Sequence, residues 1–136
     1  MGFIYVDGAF DLFHEGHINL LKRAASYGKV IVGIHDDDFV ASYKRRPYIP
    51  QQTRYEVVRA CRYVERVIEG VGMVTREMID EYQIDLVVHG DDFNDDQTLF
   101  HYKIAIERGI LKYLPYTQGI SSTQLIRGIE SRFEAQ

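Results

Sequence analysis

His14 and His17 flank Gly16 in the stretch GAFDLFHEGH, where an apolar run gives way to a helical pattern. A helix amino terminus presents unpaired N–H groups and a partial positive charge, so it accepts anions, phosphate above all. Two imidazoles at that end would add donors to phosphoryl oxygens, and a glycine between them would let a ligand come close. Charge developing on a phosphorus centre would be stabilised in such a setting. A zinc-protease helix needs H-E-x-x-H, with its histidines on one face at i and i+4; HEGH has the wrong spacing and starts before the helix. On these residues alone, a pair of surface or packing histidines remains an open reading. A second feature is cationic. Lys44, Arg45 and Arg46, followed by Pro47, form the densest positive patch of an acidic chain.

These groups need a scaffold. Apolar runs suited to buried strands recur at 3–6 (FIYV), 30–34 (VIVGI), 67–71 (VIEGV), 85–90 (DLVVHG) and 111–115 (LKYLP). Between them, Ile18, Leu21, Ala24 and Ala25 share one helical face before Gly28 closes the helix, and a second helix is expected from about Gln52 to Tyr63. Met78, Ile79 and Tyr82 suggest a short third helix, LFHYKIAIERG ending at Gly109 a fourth, and SSTQLIRGIESRF a fifth. The alternation predicts an α/β fold: a Rossmann-like, doubly wound, mostly parallel five-stranded sheet with helices on both faces and right-handed crossovers. Ligands of such sheets sit beyond the carboxyl ends of the strands, where strand order reverses. The loop-like stretches KRRPYIPQQ and GDDFNDDQ follow strand candidates and are natural walls for a site.

With 136 residues, 46% of them hydrophobic, the chain reads as one domain, 1–136, with a real core. A net charge of -4 leaves no electrostatic footprint for nucleic acid or an anionic membrane, so an anionic ligand must be held by local donors. The single cysteine, Cys61, excludes an intrachain disulfide and reads as a small core residue at a buried helix end. There is no cationic, apolar leader and no apolar run of transmembrane length, so a cytoplasmic location is expected.

GAFDLFHEGH resembles the G-x-F-D-x-x-H-x-G-H signature of the cytidylyltransferases, within the wider nucleotidyltransferase superfamily, and GISSTQLI at 119–126 resembles their second signature. TRYEVVRACRYV and VVHGDD match in order between the two, so the resemblance spans residues 3 to 130. It implies in-line attack by a phosphate monoester on the α-phosphorus of CTP, releasing pyrophosphate and leaving a CDP-alcohol. The nucleophile is already ionised at neutral pH, so catalysis is mainly positioning and charge stabilisation. By the resemblance, His14 and His17 hold the triphosphate and act as catalytic residues together with Lys44, which bridges the acceptor phosphate and the α-phosphate. Gly8, Ala9, Phe10, Asp11 and Gly16 belong to the nucleotide site by the same signature. Arg62 supports the phosphates and lies near a dimer contact, and Asp91 meets the nucleotide through the ribose. Gly119, Ile120, Ser121, Ser122 and Thr123 start a helix, which they can cap while donating to the β- and γ-phosphates.

Two departures stand out. After RYV the chain continues ERV in place of D-E-V, and YTQGIS replaces R-T-E-G-I-S, with Tyr116 for the arginine and Gln118 for the glutamate. Losing a cation beside a triphosphate would weaken turnover or alter the nucleotide pose unless Arg45 or Arg46 offsets it.

Asp7, before Gly8, resembles the choline and ethanolamine branch, whereas the glycerol-phosphate branch has no carboxylate there; a turn-forming aspartate is the plainer alternative. Asp7, Lys44 and Tyr102 are the expected acceptor-binding residues. A quaternary ammonium asks for an aromatic cage. The chain has no tryptophan, and Phe93 and Tyr102 offer a partial cage at most, which favours a primary ammonium. The short length, in contrast, resembles glycerol-phosphate enzymes. His35 and His89 are expected as satisfied strand-end histidines and His101 as a helix-surface residue. The family further implies Mg2+ accompanying the CTP, with no dedicated metal cage, and a homodimer; neither nucleic acid nor an integral membrane segment is expected. The rivals are an adenylyltransferase of the same fold and a nucleotide-binding module that turns over poorly.

Overall fold

The computed structural model describes residues 2–90, 95–115 and 119–134. Its strands are β1 (Phe3–Gly8), β2 (Val30–His35), β3 (Arg66–Val71), β4 (Ile84–Gly90) and β5 (Leu111–Leu114). The helices are α1 (Glu15–Ala25), α2 (Asp37–Tyr43), α3 (Gln51–Arg59), α4 (Arg76–Glu81), α5 (Asp95–Glu107) and α6 (Ser122–Glu134). The strands form one sheet in the order β3-β2-β1-β4-β5, and every pairing is parallel.

Side chains alternate across this sheet, as the pleat requires. Ile4, Val6, Val30, Val32, Ile34 and Val88 pack with Leu21 and Ala24 of α1 and Tyr55 and Val58 of α3. Tyr5, Ile31 and Val87 face the other way, against Ile79 of α4 and Tyr102 and Ala105 of α5. The near-continuous apolar runs of β1, β2 and β4 follow from burial on both faces.

The chain winds from β1 outward to β2 and β3, then returns to β4 on the other side of β1. Strand order thus reverses between β1 and β4, and the carboxyl ends of these two strands form the crevice where doubly wound sheets bind ligands.

Four expectations need correction. VIEGV forms an edge strand rather than a buried one, with Arg66, Glu69 and Gly70 exposed, and Glu69 pairs with Arg59 at 2.6 Å. The second helix stops at Arg59, so Cys61 lies past its end, half-buried against the core. Helix α2 was not foreseen; Asp36 caps it by accepting from Phe39 N at 2.7 Å. His101 is buried at 1% exposure, not on the helix surface.

Candidate active site

The loop from β1 to α1 carries strain. Phe10 and Leu12 hold left-handed φ angles of 53° and 51°, a conformation that costs a non-glycine residue about 1–2 kcal/mol. What holds the loop is Asp11, 4% exposed, whose carboxylate accepts from Tyr48 N and Ile49 N, both at 2.9 Å, and from Arg45 at 3.3 Å. Beneath it, the buried Arg54 guanidinium donates to Ala9 O at 2.6 Å, His35 O at 2.9 Å and Ile49 O at 2.9 Å, and pairs with Asp37 at 2.7 Å. Arg54 therefore ties the carboxyl ends of β1 and β2 to the loop at 44–50. Asp11, expected among the nucleotide-binding residues, is instead committed to positioning, and so is one guanidinium of the cationic patch. Arg46 is turned to Asp38 at 3.0 Å.

Both candidate catalytic histidines belong to the cap of α1. His14 Nδ1 accepts from Gly16 N at 3.0 Å, and His17 Nδ1 accepts from His14 N at 3.1 Å. A backbone N–H can only donate, so each Nδ1 is an acceptor and each neutral ring carries its proton on Nε2. The rings lie 4.0 Å apart between centroids, and His17 is stacked on Phe13 at 5.4 Å. The cap thus converts two imidazoles into two fixed Nε2–H donors at a helix amino terminus. Burial lowers the pKa of His14. Burial, followed by the positive neighbours His14 and Lys44, pulls His17 down to about 3.

Gly16 is required by the fold of this cap. A Cβ there would lie 2.8 Å from His14 Cε1 and 3.0 Å from its Nδ1. Gly16→Ala is expected to push the His14 ring off its cap, costing about 1 kcal/mol of stability and about tenfold or more in turnover, since an oxyanion donor is worth at least that; urea melts and steady-state kinetics measure the two.

The far end of the chain reaches the same place. Ser122 donates from Oγ to Asp11 O at 2.8 Å, and Ile120 Cγ2 lies 3.7 Å from the position of a Gly16 Cβ. Gly119 turns the chain at φ 85°. Ser121 accepts from Gln124 N at 3.1 Å and so caps α6. With two hydroxyls occupied in this way, the first-turn N–H groups of α6 and the exposed Thr123 are what remain for an anion. The amino ends of α1 and α6 therefore adjoin one crevice, and the Lys44 charge is felt at His17 within it.

Below the crevice lies a polar cluster that sequence reasoning reached only in part. Asp7, 2% exposed, accepts from Tyr102 OH at 2.5 Å and pairs with His35 Nε2 at 3.3 Å. Tyr102 OH also meets His89 Nδ1 at 2.6 Å, and His35 Nδ1 meets Tyr43 OH at 2.7 Å. Burial alone would raise the Asp7 carboxyl, but His35, His89 and Tyr102 outweigh it and hold the pKa below the ordinary value. Tyr102, expected to bind the acceptor, is fully buried, and α5 kinks where it sits.

Arg62 does not join the site. Arg54 near the start of α3 binds the carboxyl ends of β1 and β2, whereas Glu65 N bonds Val30 O at the amino end of β2. Arg62 lies beyond the far end of α3, exposed and stacked on Tyr63 at 5.1 Å. Asp91, Phe93, Tyr116 and Gln118 fall outside the described residues. Among the described residues no three His, Cys, Asp or Glu side chains cluster as a metal site, and no helix is long and apolar enough to cross a membrane.

The buried imidazoles fix a pH dependence. Unfolded, His17 titrates near 6.5, but folded it titrates at about 3, and burial brings His101 to about 4. Between these values the unfolded chain holds protons that the native chain lacks, so stability rises with pH across that window. The urea midpoint should therefore drop steadily from pH 7 to pH 5; an unchanged midpoint would contradict the burial of these rings.

The cytidylyltransferase-like family model matches residues 5–128. The chain is 41% identical to an ethanolamine-phosphate cytidylyltransferase of Dictyostelium discoideum over 93% of this chain and 37% of that protein. It is 33% identical to choline-phosphate cytidylyltransferase A of Rattus norvegicus over 93% of this chain and 36% of that one. The chain thus spans little more than a third of the length of these curated relatives. A crystal structure titled as the lipopolysaccharide core biosynthesis protein from Thermoplasma volcanium GSS1 superposes with a TM-score of 0.69 at 24% identity, covering 86% of this chain and 97% of that one. This last likeness speaks to the fold alone.

Proposed function

This chain belongs to the cytidylyltransferase-like family, and from that premise we propose that it is a single catalytic domain that transfers CMP from CTP to phosphoethanolamine, giving CDP-ethanolamine and pyrophosphate. The observation that carries this reading is the meeting of residues 11–17 with residues 119–123, through Gly16 against Ile120 and Ser122 on Asp11. Two Nε2–H donors and the amino end of α6 then face one triphosphate from two sides.

In this reading the acceptor's phosphate oxygen attacks the α-phosphorus in line, the bond to the bridging oxygen of the β-phosphate breaks, and pyrophosphate carries the electron pair away. His14 and His17 donate hydrogen bonds to the α-phosphoryl oxygens as charge grows on them, and Lys44 draws the two reacting phosphates together. Neither histidine need change protonation state, which suits rings whose pKa values lie below the ordinary range. Mg2+ would accompany CTP as the counter-ion of its triphosphate, where it would supply charge neutralisation.

Phosphoethanolamine is preferred over phosphocholine because the chain has no tryptophan with which to build an aromatic cage, while the Asp7 carboxylate places a negative charge at the carboxyl end of β1. The greater identity to the ethanolamine-phosphate relative supports the same choice. A homodimer and a cytoplasmic location complete the proposal, the first tested by sedimentation and the second by fractionation. The test of the activity is incubation with CTP or ATP and Mg2+, offering phosphoethanolamine, phosphocholine, glycerol 3-phosphate or an aminoalkylphosphonate. Mass detection of CDP-ethanolamine as the main product is expected. Product only from ATP, or only from glycerol 3-phosphate, would overturn the reading.

A further inference from the structure

We infer that Tyr43 and His35 form a ruler that selects the acceptor by length, an inference that rests on the function proposed above. Asp7 stands at the carboxyl end of β1 and Lys44 directly after α2, on different elements, yet two hydrogen bonds and one peptide link join them. The path runs from Asp7 to His35 Nε2 at 3.3 Å, and from His35 Nδ1 to Tyr43 OH at 2.7 Å. Tyr43 is the residue before Lys44, and its ring underlies the Lys44 ammonium, 5.8 Å from Nζ to centroid. The backbone closes the same link, because Lys44 N donates to Val40 O at 3.0 Å and ends α2 there.

The chemistry of His35 fits this task. As a neutral ring it donates from one nitrogen to the carboxylate and accepts the phenol proton at the other, so a single tautomer satisfies both neighbours. Its ring is pinned edge-on by Phe39 at 4.8 Å and stacked on His101 at 5.8 Å, while Tyr43 is held against His101 at 4.7 Å. Phe39 in turn fills the space beside Gly72, where a Cβ would come 3.5 Å from its ring. The path therefore has little freedom to lengthen.

An amino-alcohol phosphate carries its ammonium and its phosphate at a separation set by its carbon spacer. Lys44 attracts the second, and Asp7, whose side chain is itself buried, attracts the first by its charge from beneath the crevice. A fixed distance between the two charges favours one spacer length over its neighbours, with His35 and Tyr43 as positioning residues that touch neither reacting phosphate.

The test compares kcat/KM for phosphoethanolamine, 3-aminopropyl phosphate and ethyl phosphate in the wild-type chain, Tyr43→Phe and His35→Gln. Tyr43→Phe keeps the ring under Lys44 and removes only the hydroxyl. His35→Gln can keep the donor to Asp7 while losing the acceptor for Tyr43, and so guards against misfolding of one variant. In both, the preference for phosphoethanolamine over 3-aminopropyl phosphate should fall about tenfold, the scale of one hydrogen bond in a charge-linked path. This change should come through KM for the acceptor, with kcat and KM for CTP little changed. A merely structural role would lower all three acceptors together. CDP-ethanolamine formation with an unchanged length preference in both variants overturns the ruler alone; no CDP-linked product from the wild-type chain overturns the proposed function and the ruler with it.

Discussion

His14→Asn should fold as well as the parent chain and turn over about 100- to 1000-fold more slowly, the loss expected for one donor to a developing oxyanion. The substitution separates two jobs that one ring performs. As a cap, His14 offers Nδ1 to Gly16 N, and asparagine is among the best residues at an N-cap, with a carbonyl oxygen that can accept the same N–H. The reciprocal bond, from His14 N to His17 Nδ1, uses only backbone at position 14 and survives. As a donor, His14 presents Nε2–H on the other side of the ring, and the shorter asparagine cannot reach there while its oxygen faces Gly16. His14→Ala removes both jobs and should add a stability loss of about 1 kcal/mol. Thermal melts and CDP-ethanolamine formation, run on the same preparations, measure the two effects. A His14→Asn chain within twofold of wild-type kcat would reduce the residue to a helix cap.

Arg54→Ala should cost about 3–5 kcal/mol, the usual result of removing one partner from a buried charged network. The guanidinium has four protein partners and 1% exposure. Removing it strands three carbonyls and the partly buried Asp37 carboxylate. Against a typical total of about 5–15 kcal/mol, the variant should sit near its unfolding threshold. Arg54→Lys keeps a charge but presents it as a single point, so it can reach only some of these oxygens and should fall between the two. The urea midpoint is the readout. A loss below about 1 kcal/mol for Arg54→Ala would mean that the carbonyls find other donors.

The parts of the fold that were legible in the sequence are those with period and length. β1, β2 and β4 are apolar throughout because both faces are covered, and α1 shows its buried stripe at Leu21 and Ala24. Helix α2 was hidden because DDFVASY is only seven residues long and opens on acidic residues, so no apolar period develops. VIEGV misled because an edge strand and a central one share composition. His101 looked exposed because a polar residue in a helix usually is, and its burial depends on Phe39 and Tyr43 arriving from α2.

For the site, the two signatures named residues in the right order but could not give their distances. Arg62 stands in a matching motif, yet α3 carries it past the opposite end of the sheet. Arg54 entered the sequence reading only as one letter of the matching stretch TRYEVVRACRYV. One signal was present: helical period places it on the stripe of Val58, so an arginine sits on a buried face and must find oxygens there.

The reciprocal cap on α1 has a consequence for watching the protein at work. The amide hydrogens of His14 and Gly16 end on the very imidazoles proposed to greet a nucleotide. Their deuterium uptake, followed by mass spectrometry, is consequently a gauge of whether those rings are seated or swung away, and it needs neither an attached probe nor substrate turnover.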